Sequence, residues 1–369
     1  MPLQPHLLKE SFAYLEPVAD KAMAYLYGRL FAAKPQLRGM FPPAMDVQRD
    51  RMFQALARIV RSADSPEELA SYLAGLGRGH RLYGVLPEHY AAMGEALLAT
   101  LRRFAAETWS PEVEAAWTAA FDLVAKRMIE AADAGPDDPP AWWLAEVIGH
   151  ERRTRDIAVL TLRPERPLAF RPGQYVNVQS ARWPRVWRSY SIANAPRPDN
   201  TIRLHVRALP GGWVSTALVA HTRVGDTIML GPPMGAMGPP EGDRAVLAVA
   251  GGTGLAPLKA IIEHLADSGR APEILLLHGA RTAAELYDLA DLSKLAGRCR
   301  RLRVVPVAEE PGYTGARGRL PDVVARLDRI ADHEAFVCGP ARMVDLTVQR
   351  LRQAGVPPSR IHRDVVVPA

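Results

Sequence analysis

Cysteine is scarce in this chain. Cys299 and Cys338 are the only two in 369 residues, and they lie far apart. That excludes a disulfide framework and a thiolate metal site, and it fits a reducing, cytoplasmic setting. No stretch approaches the roughly 20 apolar residues of a membrane-spanning helix. The N-terminus, MPLQPHLLKESF, lacks the basic stretch and apolar run of a signal peptide. The formal charge of +6 comes without an aromatic-basic platform. The arginines are dispersed, and the densest cluster, Arg298, Arg300, Arg301 and Arg303, is expected at a loop-to-strand junction. A nucleic-acid partner is therefore not expected. There is no internal repeat.

What is present changes period twice. Over residues 1–134 apolar residues recur at helical spacing, as in Leu7, Leu8, Phe12, Leu15 and Val18, and again in Val113, Ala116, Trp117, Ala120, Phe121, Val124 and Met128. Ser65-Pro66 and Ser110-Pro111, each followed by acidic residues, read as helix starts. Residues 135–141, opening with Gly135-Pro136-Asp137-Asp138-Pro139-Pro140, read as a linker. Residues 142–240 carry short alternating segments, Ile157–Leu162, Gln174–Val178 and Ile202–Val206, separated by turn-formers. That predicts an antiparallel barrel. From 241 to 369 the apolar runs Ala245–Ala250, Ile274–Leu277, Arg303–Val307 and Ala335–Val337 alternate with helical stretches, which predicts a parallel sheet in βαβ units. The expected fold class is multidomain: all-α, then antiparallel β-barrel, then α/β.

Ala245–Ala250 leads into Gly251-Gly252-Thr253-Gly254, then Leu255-Ala256-Pro257 and a helical stretch. Glycines let backbone N–H groups approach a pyrophosphate, and a helix N-terminus favours its charge. The spacing is not G-x-G-x-x-G, and a mere tight connection is the plain alternative. Two more segments accompany it, Arg188-Ser189-Tyr190-Ser191-Ile192-Ala193 and Val337-Cys338-Gly339-Pro340. In this order the three motifs resemble the ferredoxin-reductase-like flavoenzymes over residues 142–369. The resemblance implies that Arg188 pairs with the FAD pyrophosphate, which suits a guanidinium fork. Tyr190 would lie against the isoalloxazine ring, and Ser191 would bond near flavin N5. Gly212, Val214, Ser215 and Thr216 match a second phosphate-contacting turn, and Gly225-Asp226, Pro233 and Gly235 match the end of the barrel. Gly251, Gly252, Thr253, Gly254 and Pro257 would face the NAD(P) pyrophosphate, while Cys338, Gly339 and Pro340 would flank the nicotinamide. The bland readings are a core tyrosine for Tyr190 and a buried structural cysteine for Cys338. The flavin-covering aromatic that such chains often carry at the C-terminus is missing, with Val365 or Val366 in its place. Arg281 stands where a 2′-phosphate contact is expected, although a solvated arginine is an equal reading, and NADH is slightly favoured over NADPH.

Three histidines precede the linker: His6, His80 and His89. His6 falls at the N-terminus and His89 near a helix start, where exposure is expected. His80 ends the helical stretch Glu67–Arg81, and alone it has a plain surface or core reading. Its surroundings are Tyr27-Gly28-Arg29-Leu30-Phe31, Pro35–Phe41, Gln48–Phe53 and Pro87-Glu88-His89-Tyr90. Together they resemble the globin domain of the flavohaemoglobins. The resemblance implies that His80 is the proximal ligand of haem b iron, with Tyr90 bonded near its imidazole. Tyr27 and Gln48 would donate hydrogen bonds to dioxygen, Phe41 would pack on the porphyrin, and Met52 would wall the distal side. The chain departs from the family at Ala132, where a glutamate is usual, and at Gly79, where a lysine is common.

The implied activity is nitric oxide dioxygenation, with electrons passing from NADH or NADPH through FAD to haem. The small-molecule partners would be dioxygen, nitric oxide and the nicotinamide. Two alternatives remain: a flavin reductase serving ferric iron, a quinone or another haem protein, and a haem gas sensor.

Overall fold

The computed structural model describes residues 4–133, 140–269 and 271–366, with the side chains of Val365 and Val366 outside the description. Residues 135–139 of the expected linker also lie outside the described residues. The chain divides into two compact units, Met1–Ala141 and Trp142–Ala369.

The first unit is helical: α1 (Pro5–Ala13), α2 (Ala19–Ala33), α3 (Asp46–Arg61), α4 (Pro66–Arg81), α5 (Pro87–Phe104) and α6 (Pro111–Ala132). The start signals act as expected at Ser110, whose side chain accepts from the Val113 N–H and caps α6. Helix α2 buries Ala22, Met23, Leu26, Tyr27 and Leu30 along one face. Each such leucine removed from water contributes about 2 kcal/mol. Helix α4 lies close against α6 because Gly77 has no side chain: a Cβ there would meet the backbone of Met128. The chain turns after α4 through Gly84, at φ +67°. The apolar interior falls into two clusters. The larger holds Tyr27, Leu56, Leu97 and Trp117, with Phe31, Phe41 and Met52 only partly buried at its margin. The smaller holds Leu69, Leu73 and Met128, with Tyr90 and Val124 beside it.

The second unit begins with six antiparallel strands, β1 (Trp143–Arg152), β2 (Ile157–Pro164), β3 (Tyr175–Ser180), β4 (Arg188–Ser191), β5 (Ile202–Arg207) and β6 (Thr227–Leu230), with α7 (Trp213–Thr216) between the last two. They lie in the order β4-β3-β6-β1-β2-β5. A bridge between Ile192 and Leu204 joins the two ends, so the sheet is nearly closed into a barrel. Ile157–Leu162 does not alternate as the sequence suggested. Ala158, Leu160 and Leu162 fill the barrel, while Ile157 and Val159 pack into the core of the following sheet. A strand buried on both faces has no reason to alternate.

That second sheet comprises β7 (Val246–Gly251), β8 (Ile274–Ala280), β9 (Leu302–Ala308), β10 (Ala316–Arg317), β11 (Glu334–Pro340) and β12 (Ile361–Val366), with helices α8 (Leu255–Asp267), α9 (Leu289–Arg298), α10 (Leu320–Val324) and α11 (Ala341–Gln353). The pairings are parallel, in the order β10-β9-β8-β7-β11-β12. The chain spreads one way from β7 and then resumes on its other side with β11. Ligands of open parallel sheets bind at such a reversal, outside the strands' carboxyl ends.

Candidate functional site

Three groups of residues carry chemistry. In the helical unit, Tyr27 is buried on α2, with Phe31 at 5.8 Å and Phe41 at 5.3 Å between ring centroids. Gln48 Nε2 donates to the Tyr27 hydroxyl at 3.1 Å. A hydroxyl that accepts this bond keeps its own proton to donate. Burial pushes the Tyr27 pKa up to about 12, against a small opposing effect of Gln48, so the group is a neutral donor. Phe41 and Met52 edge the same apolar cluster.

His80 sits in the last turn of α4. Its Nδ1 lies 3.3 Å from the Tyr90 hydroxyl, which leaves Nε2 as the nitrogen for a metal. Burial lowers the His80 pKa, favouring the neutral, ligating form. His89 differs from its expected exposure. It is half-buried, and its Nδ1 accepts from the Leu86 N–H at 3.1 Å, capping α5. His6 is exposed on α1. Ala132 offers His80 no carboxylate, and nearby Glu130 is engaged with Arg127 and Lys126 on the surface. The residues present fit a haem: one imidazole oriented by a phenol, a second polar pair amid aromatic rings, and apolar side chains left partly open.

In the barrel, Arg188 and Tyr190 fall on one face of β4 and Ser189 and Ser191 on the other. Tyr190 packs at the edge of the barrel core, and burial raises its hydroxyl pKa although Arg188 opposes the shift. Arg188 Nη1 donates to the Trp187 carbonyl at 2.9 Å. Gly212 precedes α7 as its N-cap, and a Cβ there would strike Ser215 Oγ. Ser215 Oγ closes this turn, accepting from the Leu209 N–H and donating to the Gly212 carbonyl, both at 3.2 Å. Val214 turns into the core and Thr216 outward. Ser215 is thus occupied in shaping the turn.

At the sheet reversal, Gly251 ends β7, Gly252–Gly254 make one tight turn, and α8 follows with Pro257 in its first turn. Cys338, Gly339 and Pro340 end the neighbouring β11. The two segments touch through glycine: a Cβ on Gly254 would meet the Cys338 carbonyl, and one on Gly339 would lie 3.1 Å from Gly251 Cα. Gly252 and Gly339 have φ of +54° and +151°. Such a cradle, at the start of a helix, fits a dinucleotide pyrophosphate. Thr253 is half-buried in the turn. Cys338 Sγ lies 3.8 Å from Met237 Sδ. Burial, reinforced by Asp364, pushes its thiol pKa up, so it stays protonated. The expected aromatic replacement falls on Val365 and Val366, which pair with Gly339 and Pro340 through the backbone.

Several neighbours gave no signal in the sequence. Arg207 ends β5 and comes 3.4 Å from where a Gly252 Cβ would stand, while it pairs with Asp156 at 2.7 Å and Glu285 at 3.5 Å. Behind the turn, the buried Lys259 of α8 pairs with Asp288 at 2.6 Å. Asp291 joins Lys259 to Arg153 of the barrel, and His205 Nδ1 meets the Tyr287 hydroxyl at 2.8 Å. These contacts span separations in sequence that no local motif bridges.

The chain matches the Globin family over residues 24–128, the oxidoreductase FAD-binding domain over 145–238 and the oxidoreductase NAD-binding domain over 248–349. A flavohemoprotein of Deinococcus radiodurans is 28% identical, across 97% of this chain and 95% of that one. The ferredoxin–NAD(P)+ reductase component of a Pseudomonas putida naphthalene 1,2-dioxygenase system is 35% identical across 60% of this chain and 68% of its own length. The crystal structure of a Malassezia yamatoensis flavohemoglobin with bound FAD and heme superposes with a TM-score of 0.76, covering 98% of both chains at 19% identity. No helix among the described residues is long and apolar enough to cross a membrane.

Proposed function

Because the chain belongs to the flavohaemoprotein family, a globin joined to an FAD- and NAD-binding oxidoreductase, we propose that it is a nitric oxide dioxygenase of a reducing, cytoplasmic compartment. It would oxidise nitric oxide to nitrate with dioxygen, using electrons from NADH or NADPH. When bound, the three cofactors supply hydride, single-electron and dioxygen chemistry.

The observation that carries this reading is the Gln48–Tyr27 pair, a polar donor set among Phe31, Phe41 and Met52. Gln48 fixes the Tyr27 oxygen, and the Tyr27 proton is left to stabilise negative charge developing beside it among apolar side chains. Tyr90 sets the ring of His80, which would hold the iron through Nε2. The glycines at Gly251, Gly252, Gly254 and Gly339 let the nucleotide approach the backbone, with Thr253, Pro257, Cys338 and Pro340 framing it. Tyr190, Ser191, Arg188 and the 212–216 turn would hold the flavin. Arg281 is exposed and paired with Glu285 at 3.3 Å, which supports NADH over a nucleotide needing a free cation.

Delivery of electrons to another acceptor is the second reading. Ala132 and the surface commitment of Glu130 favour it, since both leave the His80–Tyr90 pair without a carboxylate. The test is an anaerobic absorption spectrum before and after NADH, followed by nitric oxide consumption in air. Flavin bleaching, a ferric-to-ferrous haem shift and fast NADH-dependent loss of nitric oxide are expected. Tyr27→Phe should slow that loss roughly 10- to 100-fold, as for a hydrogen bond to a charged group. Rapid reduction without nitric oxide consumption would transfer support to the second reading.

A further inference from the structure

One aromatic pair beside the flavin segments has been given no role of its own. Trp183 and Trp213 stack with ring centroids 4.9 Å apart and planes 24° from parallel, yet Trp213 remains 42% exposed. Lone exposed apolar side chains are ordinary, but two stacked indoles with a face at the surface form a flat apolar patch. The backbone holds both rings in place. The Trp183 N–H donates to the Ser180 carbonyl at 3.0 Å, and its own carbonyl accepts from Val186 at 3.2 Å. The loop turns at Arg185, with φ +68°, where the Arg185 N–H donates to Gln179 Oε1 at 2.6 Å. Trp213 follows Gly211, at φ +73°, and opens α7.

Their place in the fold is specific. The loop carrying Trp183 runs directly into Arg188, and Trp213 lies within the 212–216 turn. Those are the two segments that would hold the FAD pyrophosphate. One end of that pyrophosphate leads to the flavin ring beside Tyr190, and the other leads to adenosine. An adenine needs a flat apolar face and accepts an open solvent side, which is what a stacked indole pair presents.

We propose that the Trp183–Trp213 stack is the platform for the adenine of FAD. This rests on the FAD-binding assignment of residues 145–238 and is independent of the nitric oxide reading. The outer indole face binds the base without base-specific hydrogen bonds, so the platform discriminates FAD from FMN, which lacks the adenylate half.

The test titrates the full-length protein, freed of flavin, with FAD and with FMN, following flavin and tryptophan emission. Trp213→Ala and Trp183→Ala should each weaken FAD about tenfold or more, the loss typical of one stacked base. For Trp183→Ala, which lies outside the 212–216 turn, FMN affinity should stay within about twofold, and Trp213→Phe should recover part of the FAD affinity. Equal weakening of FAD and FMN would overturn the proposal, because the stack would then only shape the loop. Unchanged FAD affinity would overturn it too, placing the adenine elsewhere. The wild-type protein gives a reading that needs no variant: FAD, and not FMN, should shield tryptophan emission from iodide, and equal shielding by both would count against the platform.

Discussion

The two compact units build their sites by opposite means. In the reductase unit the backbone does the shaping: Gly251, Gly252, Gly254 and Gly339 bring two strand ends to near contact, and Gly212 with Ser215 closes a second turn. In the helical unit the shaping is done by side chains on different helices, with Gln48 of α3 reaching Tyr27 of α2 and Tyr90 of α5 reaching His80 of α4. A site made of backbone tolerates almost no added atom at its glycines. A site made of side chains tolerates change nearly everywhere except at the few groups that meet. The units differ in charge as well. Among the described residues the reductase unit buries the ionisable Lys259, Asp288, His205 and His278, whereas the buried hydroxyl-bearing side chains of the helical unit, Ser11, Ser62, Thr100 and Tyr27, are uncharged.

The contrast breaks most sharply at Lys259. Lys259→Met leaves Asp288 buried without its partner, and the reductase unit should lose about 3–5 kcal/mol. Thermal release of flavin would report the loss, and adding Asp288→Leu should restore much of it. A smaller effect concerns pH. Burial, helped by the Lys259 charge, holds His278 at about 4 against 6.5. The unfolded chain therefore takes up the proton first. The stability in question is present above pH 6.5 and is lost as pH falls toward 4, about 3 kcal/mol in all. His278→Leu should reduce the slope of melting temperature in that window, and His205, lowered in the same direction by burial, should retain a part of it.

The helical unit has its counterpart at the alkaline end. Tyr27 titrates at about 12 rather than 10, so the folded state resists its ionisation. The stability it contributes is whole below pH 10 and fades between 10 and 12, about 2–3 kcal/mol. Absorbance near 295 nm should show several late-titrating tyrosines, since burial also raises Tyr190 and Tyr287, and Tyr27→Phe should remove one of them. The smallest effect sharpens the comparison. Gly75 lies in α4 with nothing within 4 Å of an added Cβ, so Gly75→Ala should raise the stability of the helical unit by about 0.5–1 kcal/mol. Gly254→Ala, aimed at the Cys338 carbonyl, should instead destabilise the reductase unit and weaken NADH binding.

Legibility in the sequence follows the same division. The glycine turn, the Arg188–Ser191 strand and the Cys338-Gly339-Pro340 end are contiguous, so their spacing can be read directly. The change from helical to alternating to parallel-sheet periodicity exposed the order of folds. Ile157–Leu162 misled, because a strand packed on both faces loses its alternation. His89 misled because a cap interaction with Leu86 is local but has no polar-pattern signature at a leucine. Arg207 beside Gly252 and Asp291 between Lys259 and Arg153 were invisible. Those contacts exist only once the barrel and the parallel sheet have packed, and no periodicity encodes them. Trp183 and Trp213 stood in plain view but separated by 30 positions, and only the folded barrel places one ring on the other.

The bridge from Ile192 to Leu204 has a consequence for how this molecule avoids its own kind. A strand with a free side is a template for another chain to add to, and crowded proteins aggregate along such templates. Joining its first and last strands leaves the barrel little to offer. The parallel sheet cannot close, and its two margins are guarded differently: β10 is two residues long, and β12 interrupts its apolar run with Arg363 and Asp364. Self-association of this unit would therefore have to proceed through side chains, at whatever surface evolution chose for it, because the main chain gives a stranger almost nowhere to pair.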